Sequence, residues 1–190
     1  MTSVPAAISK LKLKWAFKDI PKPIEAFYTV THDKEFYIED DILSKKTVVV
    51  QTPNEDKFCK VLNNNNTEAV VLSIDNALIP HYQGGIADGA VFNINNFVFV
   101  EFKTNAQGNT DLAVNATYQK AMKQLKSTID LFNTHLQKAK VNFTQIVNVE
   151  CNIIVPATFP RNTASEMTYA LQFAAENWGI PLNFDNIIEL

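Results

Sequence analysis

Residues 84–106, which read GGIADGAVFNINNFVFVEFKTNA, place the strongest constraint on what this chain can fold into. Two runs rich in Val, Ile and Phe, 86–94 and 97–104, are separated by Asn95 and Asn96, residue types that tolerate the positive φ of a tight turn. The pattern predicts a β-hairpin. A two-residue loop at Asn95 and Asn96 pairs residue i with 191 − i and sets Asp88 opposite Lys103. A four-residue loop over 93–96 pairs i with 189 − i and sets Asp88 opposite Glu101. Side chains alternate along a strand, so either even loop gathers Asp88, Glu101 and Lys103 on one face. A loop of odd length would send Asp88 to the other face. The shared face otherwise carries Ile86, Ala90, Phe92, Ile94, Phe97 and Phe99, which are residues for a buried surface.

Two carboxylates and an ammonium beside a core are costly unless they pair or bind a cation, so the pattern calls for a hard metal ion or a salt-bridge network. The alternative is a surface cross-strand ion pair worth a few tenths of a kcal/mol. The Phe-Val-Phe-Val run leading into Glu101 favours a site, because an exposed ion pair does not need so apolar a strand beneath it.

Asp88, followed thirteen residues later by Glu101-Phe102-Lys103 closing a hydrophobic strand, resembles the D…E-x-K signature of the PD-(D/E)XK nuclease superfamily. The resemblance implies a restriction-endonuclease-like αβββαβ core, with a four-stranded mixed sheet flanked by helices, and Mg²⁺- or Mn²⁺-dependent phosphodiester hydrolysis. It implies Asp88 and Glu101 as metal ligands, the Phe102 carbonyl as a third, and Lys103 as the group that orients or activates water. Ala87 stands where the family's name-giving proline would be. Some exonuclease-like members place a glutamine from the following helix in the site. Gln119, Lys123 and Gln124 are the candidates here, with solvated side chains as the equal alternative.

The net charge of −3 is poor for a protein that must hold nucleic acid through phosphates, but lysines cluster over 10–22 and 120–140. Those lysines either form local basic surfaces or solvate exposed faces. With Arg161 the sole arginine, contact with DNA is expected through the backbone rather than through base reading. A homodimer or a protein partner also stays open. Cys59, Cys151, His32, His81 and His135 make no zinc spacing and are expected as buried thiols and ordinary histidines. No signal peptide or membrane span is indicated, which makes a cytoplasmic location the expectation.

The chain is expected to form one α+β domain, residues 54–190 making the nuclease-like core and residues 1–53 an N-terminal β-rich elaboration. Alternation of Lys with Leu11, Leu13, Trp15 and Phe17 fits a half-buried strand, with a short helix as the alternative. Short strands are expected at 36–38 and 47–51. Decoration of the core, a dimer surface and a recognition arm are all open roles for this segment. Asn54, Glu55 and Asp56 followed by Phe58, Val61 and Leu62 suggest a short helix, and 68–75 a strand, with a helix as the alternative, whose last residue, Asp75, either approaches the site or forms a turn with Asn76. Gly84 and Gly85 read as a turn. Tyr118, Met122, Leu125, Ile129, Phe132 and Leu136 predict a long helix capped by Asn115. A strand at 145–155, a helix from Thr163 with a Glu166 capping box, and a strand at 182–188 complete the prediction. A non-catalytic module on the same fold is the rival to an active nuclease, and a coincidental D…E-x-K in an unrelated α+β domain is the third reading.

Overall fold

The computed structural model describes residues 4–53, 57–106, 108 and 110–190. Two short helices come first, α1 (Ala6–Lys10) and α2 (Leu13–Ala16), separated by Lys12 at φ 50°. The alternation over 10–18 is therefore helical rather than a strand. The left-handed break at Lys12 lets Leu11 and Leu13 both enter the core, producing a period of two without extended backbone. A 3₁₀ turn at Ile24–Ala26 leads into β1 (Tyr28–Thr31), β2 (Glu35–Asp41) and β3 (Lys46–Val50).

The segment expected as a helix after Pro53 is instead a strand, β4 (Phe58–Leu62). Cys59 and Val61 are fully buried and their neighbours half-buried, so the three-and-four spacing of Phe58, Val61 and Leu62 arises from a strand covered on both faces. Asn54, Glu55 and Asp56 lie outside the described residues. Next come β5 (Ala69–Ser73), β6 (Gly89–Phe92) and β7 (Asn96–Phe102). The long helix α3 (Asp111–Lys138) begins earlier than expected, capped by Thr110, whose hydroxyl accepts from Ala113 N–H; Asn115 lies within it. A short helix, α4 (Phe143–Ile146), precedes β8 (Asn148–Ile154), and α5 (Thr163–Glu176) is capped by Asn162. The last strand expected is split into β9 (Leu182–Asn183) and β10 (Ile187–Glu189), as the chain passes from one sheet to another.

The protein is α+β with two mixed sheets. A six-stranded sheet has the order β1-β5-β6-β7-β8-β9, antiparallel from β1 to β7 and parallel from β7 to β9. The crossover from β7 to the parallel strand β8 runs through α3, since parallel neighbours need a long connection. A four-stranded sheet, β10-β4-β2-β3, covers the opposite face. In place of a four-stranded sheet between helices, the main sheet lies between a helical layer and a second sheet. Residues 4–53 contribute to all three layers: α1 and α2 to the helical side, β1 to the main sheet, β2 and β3 to the second.

Alternation along the strands sorts the two cores. Leu72, Ala90, Phe92, Phe97, Phe99 and Cys151 face the helices, whereas Val71, Val91, Val98, Val100, Phe102 and Ile154 face the second sheet. The α3 stripe packs on the first face, where Phe97, Phe99, Phe132 and Phe143 form edge-on ring contacts at 5.0–6.0 Å. Each such buried side chain contributes about 1.5–3 kcal/mol. Cys59 and Cys151 are buried and free, and no helix among the described residues is long and apolar enough to cross a membrane.

Candidate active site

The β6–β7 hairpin adopts the four-residue loop. Phe92 pairs with Phe97 and Gly89 with Val100, and Asn93 side-chain oxygen caps the loop by accepting from the N–H groups of Asn95 and Asn96 at 2.8 and 2.9 Å. One step beyond the last ladder pair, Asp88 stands across from Glu101. Parity puts Asp88, Glu101 and Lys103 on the helix-facing side, in line with Ala90, Phe92, Phe97 and Phe99. Ile94 alone of the expected apolar set reaches solvent.

Burial at this end of the sheet is severe. Glu101 is 1% exposed and Lys103 14%, and the two form an ion pair through Lys103 Nζ and Glu101 Oε1. Lys103 Nζ also donates to Gln124 Oε1 on α3 at 2.8 Å, and Gln124 Nε2 donates to the Ile86 carbonyl at 3.1 Å. Asp88 Oδ2 accepts from Phe102 N–H at 2.6 Å, taking the place of a ladder partner where β6 has not yet begun. The N–H and C=O of a strand residue point the same way, so the Phe102 carbonyl is also turned to the Asp88 side. Glu101 Oε2 is buried without a hydrogen-bond partner among the described residues.

Burial pushes the Asp88 carboxyl up to about 7, helped by Asp40 and Asp75 and opposed by the Phe102 N–H and Lys103. Burial, then Asp88, raise Glu101 well above the usual carboxylate range despite its bond to Lys103. Asp40, near the end of β2, is raised by burial and then by Asp41 and Asp75, and Asp75, just after β5, by burial alone. Four carboxylates thus feel one ammonium, and each of Asp40, Asp75 and Asp88 keeps some access to solvent. Asp75 does form the turn expected of it, its carboxylate accepting from Asn76 at 3.0 Å, and it also approaches the site.

Two further contacts hold the frame. Thr128 Oγ1, fully buried on α3, accepts from Ala87 N–H at 2.7 Å and donates to the Gln124 carbonyl at 2.8 Å. A proline at 87 would lack that N–H and could not make this bond. On the opposite face, Thr47 of β3 closes over Gly89: a β-carbon at 89 would lie 2.4 Å from Thr47 Oγ1 and 2.8 Å from the Leu72 carbonyl. This contact brings the β2–β3 hairpin, and with it Asp40, to the site.

Gln124 is therefore at the cluster, but Gln119 and Lys123 are not. They line a separate groove between α3 and α5 with Tyr169, Gln172 and Glu176, because residues one and five positions from Gln124 project from a different side of the helix, whereas Gln119 and Lys123, four apart, share a face. Asp40, Thr128 and Gly89 carried no local signal, since each meets the site only through a long-range contact. The expected turn at Gly84 and Gly85 is present, with φ of 101° and 82° and Gly85 against the Gln124 side chain.

No group of three or more His, Cys, Asp or Glu side chains among the described residues is arranged to hold a metal ion by itself. Mg²⁺ commonly uses one or two carboxylates and keeps several waters. Asp88, the unpartnered Glu101 Oε2 and the Phe102 carbonyl supply hard oxygen donors of that kind, so the residues fit such an ion. Compared with known proteins, the chain matches no family model, no curated protein sequence and no solved structure.

Proposed function

We propose that this protein is a Mg²⁺- or Mn²⁺-dependent nuclease that hydrolyses DNA phosphodiester bonds on a restriction-endonuclease-like core. The observation that carries the reading is the buried Lys103–Glu101 pair with Asp88 opposite and Glu101 Oε2 left without a partner. Ionisable groups held in a core at such cost, and framed by Gln124 and Thr128, mark a working site better than a structural ion pair. The meander β5-β6-β7, then α3 and the parallel strand β8, supports the fold assignment through its βββαβ order. The helix that would precede it has no counterpart in β4.

An ion at Asp88 and Glu101 would neutralise charge on the phosphate and lower the pKa of a bound water. Lys103, held by Gln124 and Glu101, orients the attacking water and balances the carboxylates. The Phe102 N–H holds one Asp88 oxygen, and the other would be available to such an ion. Few basic residues are available for the DNA backbone, so binding weakens steeply with salt.

The net charge of −3 and the single arginine favour a second reading, a catalytically inactive module of the same fold serving as a protein-binding or accessory subunit. The two separate on incubation with single- and double-stranded DNA and RNA at low salt with Mg²⁺ or Mn²⁺. The nuclease reading expects degradation or nicking of DNA; survival of all four substrates overnight at high protein concentration would leave the inactive module.

A further inference from the structure

Beside the acidic cluster, a cleft of about 220 Å³ is lined by Pro21, Lys22, Phe27, Lys46, Asn76 and Pro80, with Ala77 buried at its floor. Two of its walls are one residue from the candidate site. Asn76 follows Asp75 and donates to its carboxylate at 3.0 Å, and Lys46 precedes Thr47, which closes over Gly89 next to Asp88. Pro21, Phe27, Ala77 and Pro80 give it apolar surface and Asn76 an amide, whereas the two lysines of its lining, Lys22 and Lys46, have no ion-pair partner among the described residues. The paired lysines there are Lys14, Lys60 and Lys103. The cross-strand neighbour of Lys46, Asp41, gives one carboxylate oxygen to the Ser44 N–H at 2.7 Å and makes no ion pair with Lys46.

We infer that this cleft is a nucleotide subsite: it takes one unpaired base against Phe27 and the prolines, while Lys22 and Lys46 hold that nucleotide's phosphate. The inference rests on the nuclease reading for its biological role and adds the substrate class, a strand whose bases are free. The volume lies below the roughly 300–1,000 Å³ of sites that enclose a whole drug-sized ligand, which suits a single ring with the sugar and phosphate at the rim. Base-on-ring stacking is tolerant of sequence because every base offers a π face. The ammonium groups supply the charge complementarity that the neighbouring carboxylates deny to a phosphate. A base in a duplex is stacked and paired, and cannot enter.

The test is a titration of the isotope-labelled full chain in EDTA with thymidine 5′-monophosphate, thymidine and inorganic phosphate. The amide signals of Lys22, Asn76 and Ala77 should shift with the monophosphate. Binding should weaken about tenfold or more in the Lys22→Ala/Lys46→Ala double variant, and Lys46→Arg should retain it. Thymidine and inorganic phosphate should each bind at least about tenfold more weakly than the monophosphate, as each keeps only half of the contacts. Shifts that map elsewhere, a well-dispersed double variant that binds equally, or inorganic phosphate binding as tightly as the nucleotide would each overturn the subsite. With oligonucleotides, a blunt duplex binding as tightly as the unpaired strand would overturn it too. Because these titrations need no metal and no turnover, the two proposals fail separately. Mononucleotide binding without DNA cleavage removes the nuclease reading alone, and cleavage without mononucleotide binding removes this inference alone.

Discussion

Replacing Asp88 by Asn removes a carboxylate whose ionised form the fold disfavours, and its effect on stability can be worked out in advance. The Asp88 carboxyl rises from 3.8 to about 7, burial being the largest cause. At about 1.36 kcal/mol per pH unit this sets an upper bound of about 4 kcal/mol on the cost of the charged form. Asp88 retains some solvent access, so about 1–3 kcal/mol is the realistic range. A raised carboxyl means that the folded state binds more protons than the unfolded state between pH 4 and 7, so stability falls as pH rises through that window. Asparagine keeps an oxygen for the Phe102 N–H and has no charge to bury. The metal-free variant should therefore be more stable than wild type at pH 8, by about 2–10 °C in melting temperature for a chain of this size, with the gain nearly gone at pH 4. Melting in EDTA at both pH values reads this directly. Added Mg²⁺ should reverse the order, stabilising wild type by about 2.7 kcal/mol at a hundredfold excess over its dissociation constant and the variant hardly at all. Equal destabilisation of the variant at pH 4 and pH 8, with no differential response to Mg²⁺, would show that Asp88 is a structural acceptor and refute the reasoning.

Other changes probe the frame around the cluster. Ala87→Pro deletes the N–H that Thr128 accepts, and thermal or urea unfolding should show a loss of about 1–3 kcal/mol. Gly89→Ala drives a methyl group into Thr47 and the Leu72 carbonyl, so denaturant melts should show a loss of about 2–4 kcal/mol; Thr47→Ala should recover only part of it, because the backbone carbonyl remains. Gln124→Leu unties Lys103 and the Ile86 carbonyl from α3, and should lower turnover on DNA by about one to two orders of magnitude, with a loss of about 1–3 kcal/mol in chemical denaturation.

The hairpin was legible because its cues are local. Two apolar runs and an Asn-rich turn limit the register to a few choices, and the parity of any even loop settles which face Asp88, Glu101 and Lys103 share. The stripe from Tyr118 to Leu136 was legible for the same reason, its period holding over several turns. Local pattern failed where backbone breaks or second coverings alter it. Lys12 in the left-handed region made two helices look like a strand, and a strand covered on both faces at Phe58–Leu62 looked like a helix. Two strands of the second sheet, at 36–38 and 47–51, were legible, but the sheet was not, because its inner strand β4 looked like a helix and its edge strand β10 lies parallel to β4, more than a hundred residues later in the chain. Asp40 and Thr47 reach the site only through that sheet, so nothing in their sequence neighbourhood marks them. Nor does the sequence around Ala87 show that its N–H is held by the Thr128 hydroxyl, forty-one residues later.

Single-turnover cleavage by Lys103→Ala tests the central claim most directly. With labelled single-stranded DNA, Mg²⁺ and low salt, wild type should cleave, and Lys103→Ala should be slower by about two or more orders of magnitude, with its DNA dissociation constant little changed, because Lys103 is nearly buried and, on the proposed reading, would act on the water rather than on the backbone. A variant that cleaves as fast as wild type, or a wild-type protein with no activity that Mg²⁺ or Mn²⁺ can elicit, would contradict the account.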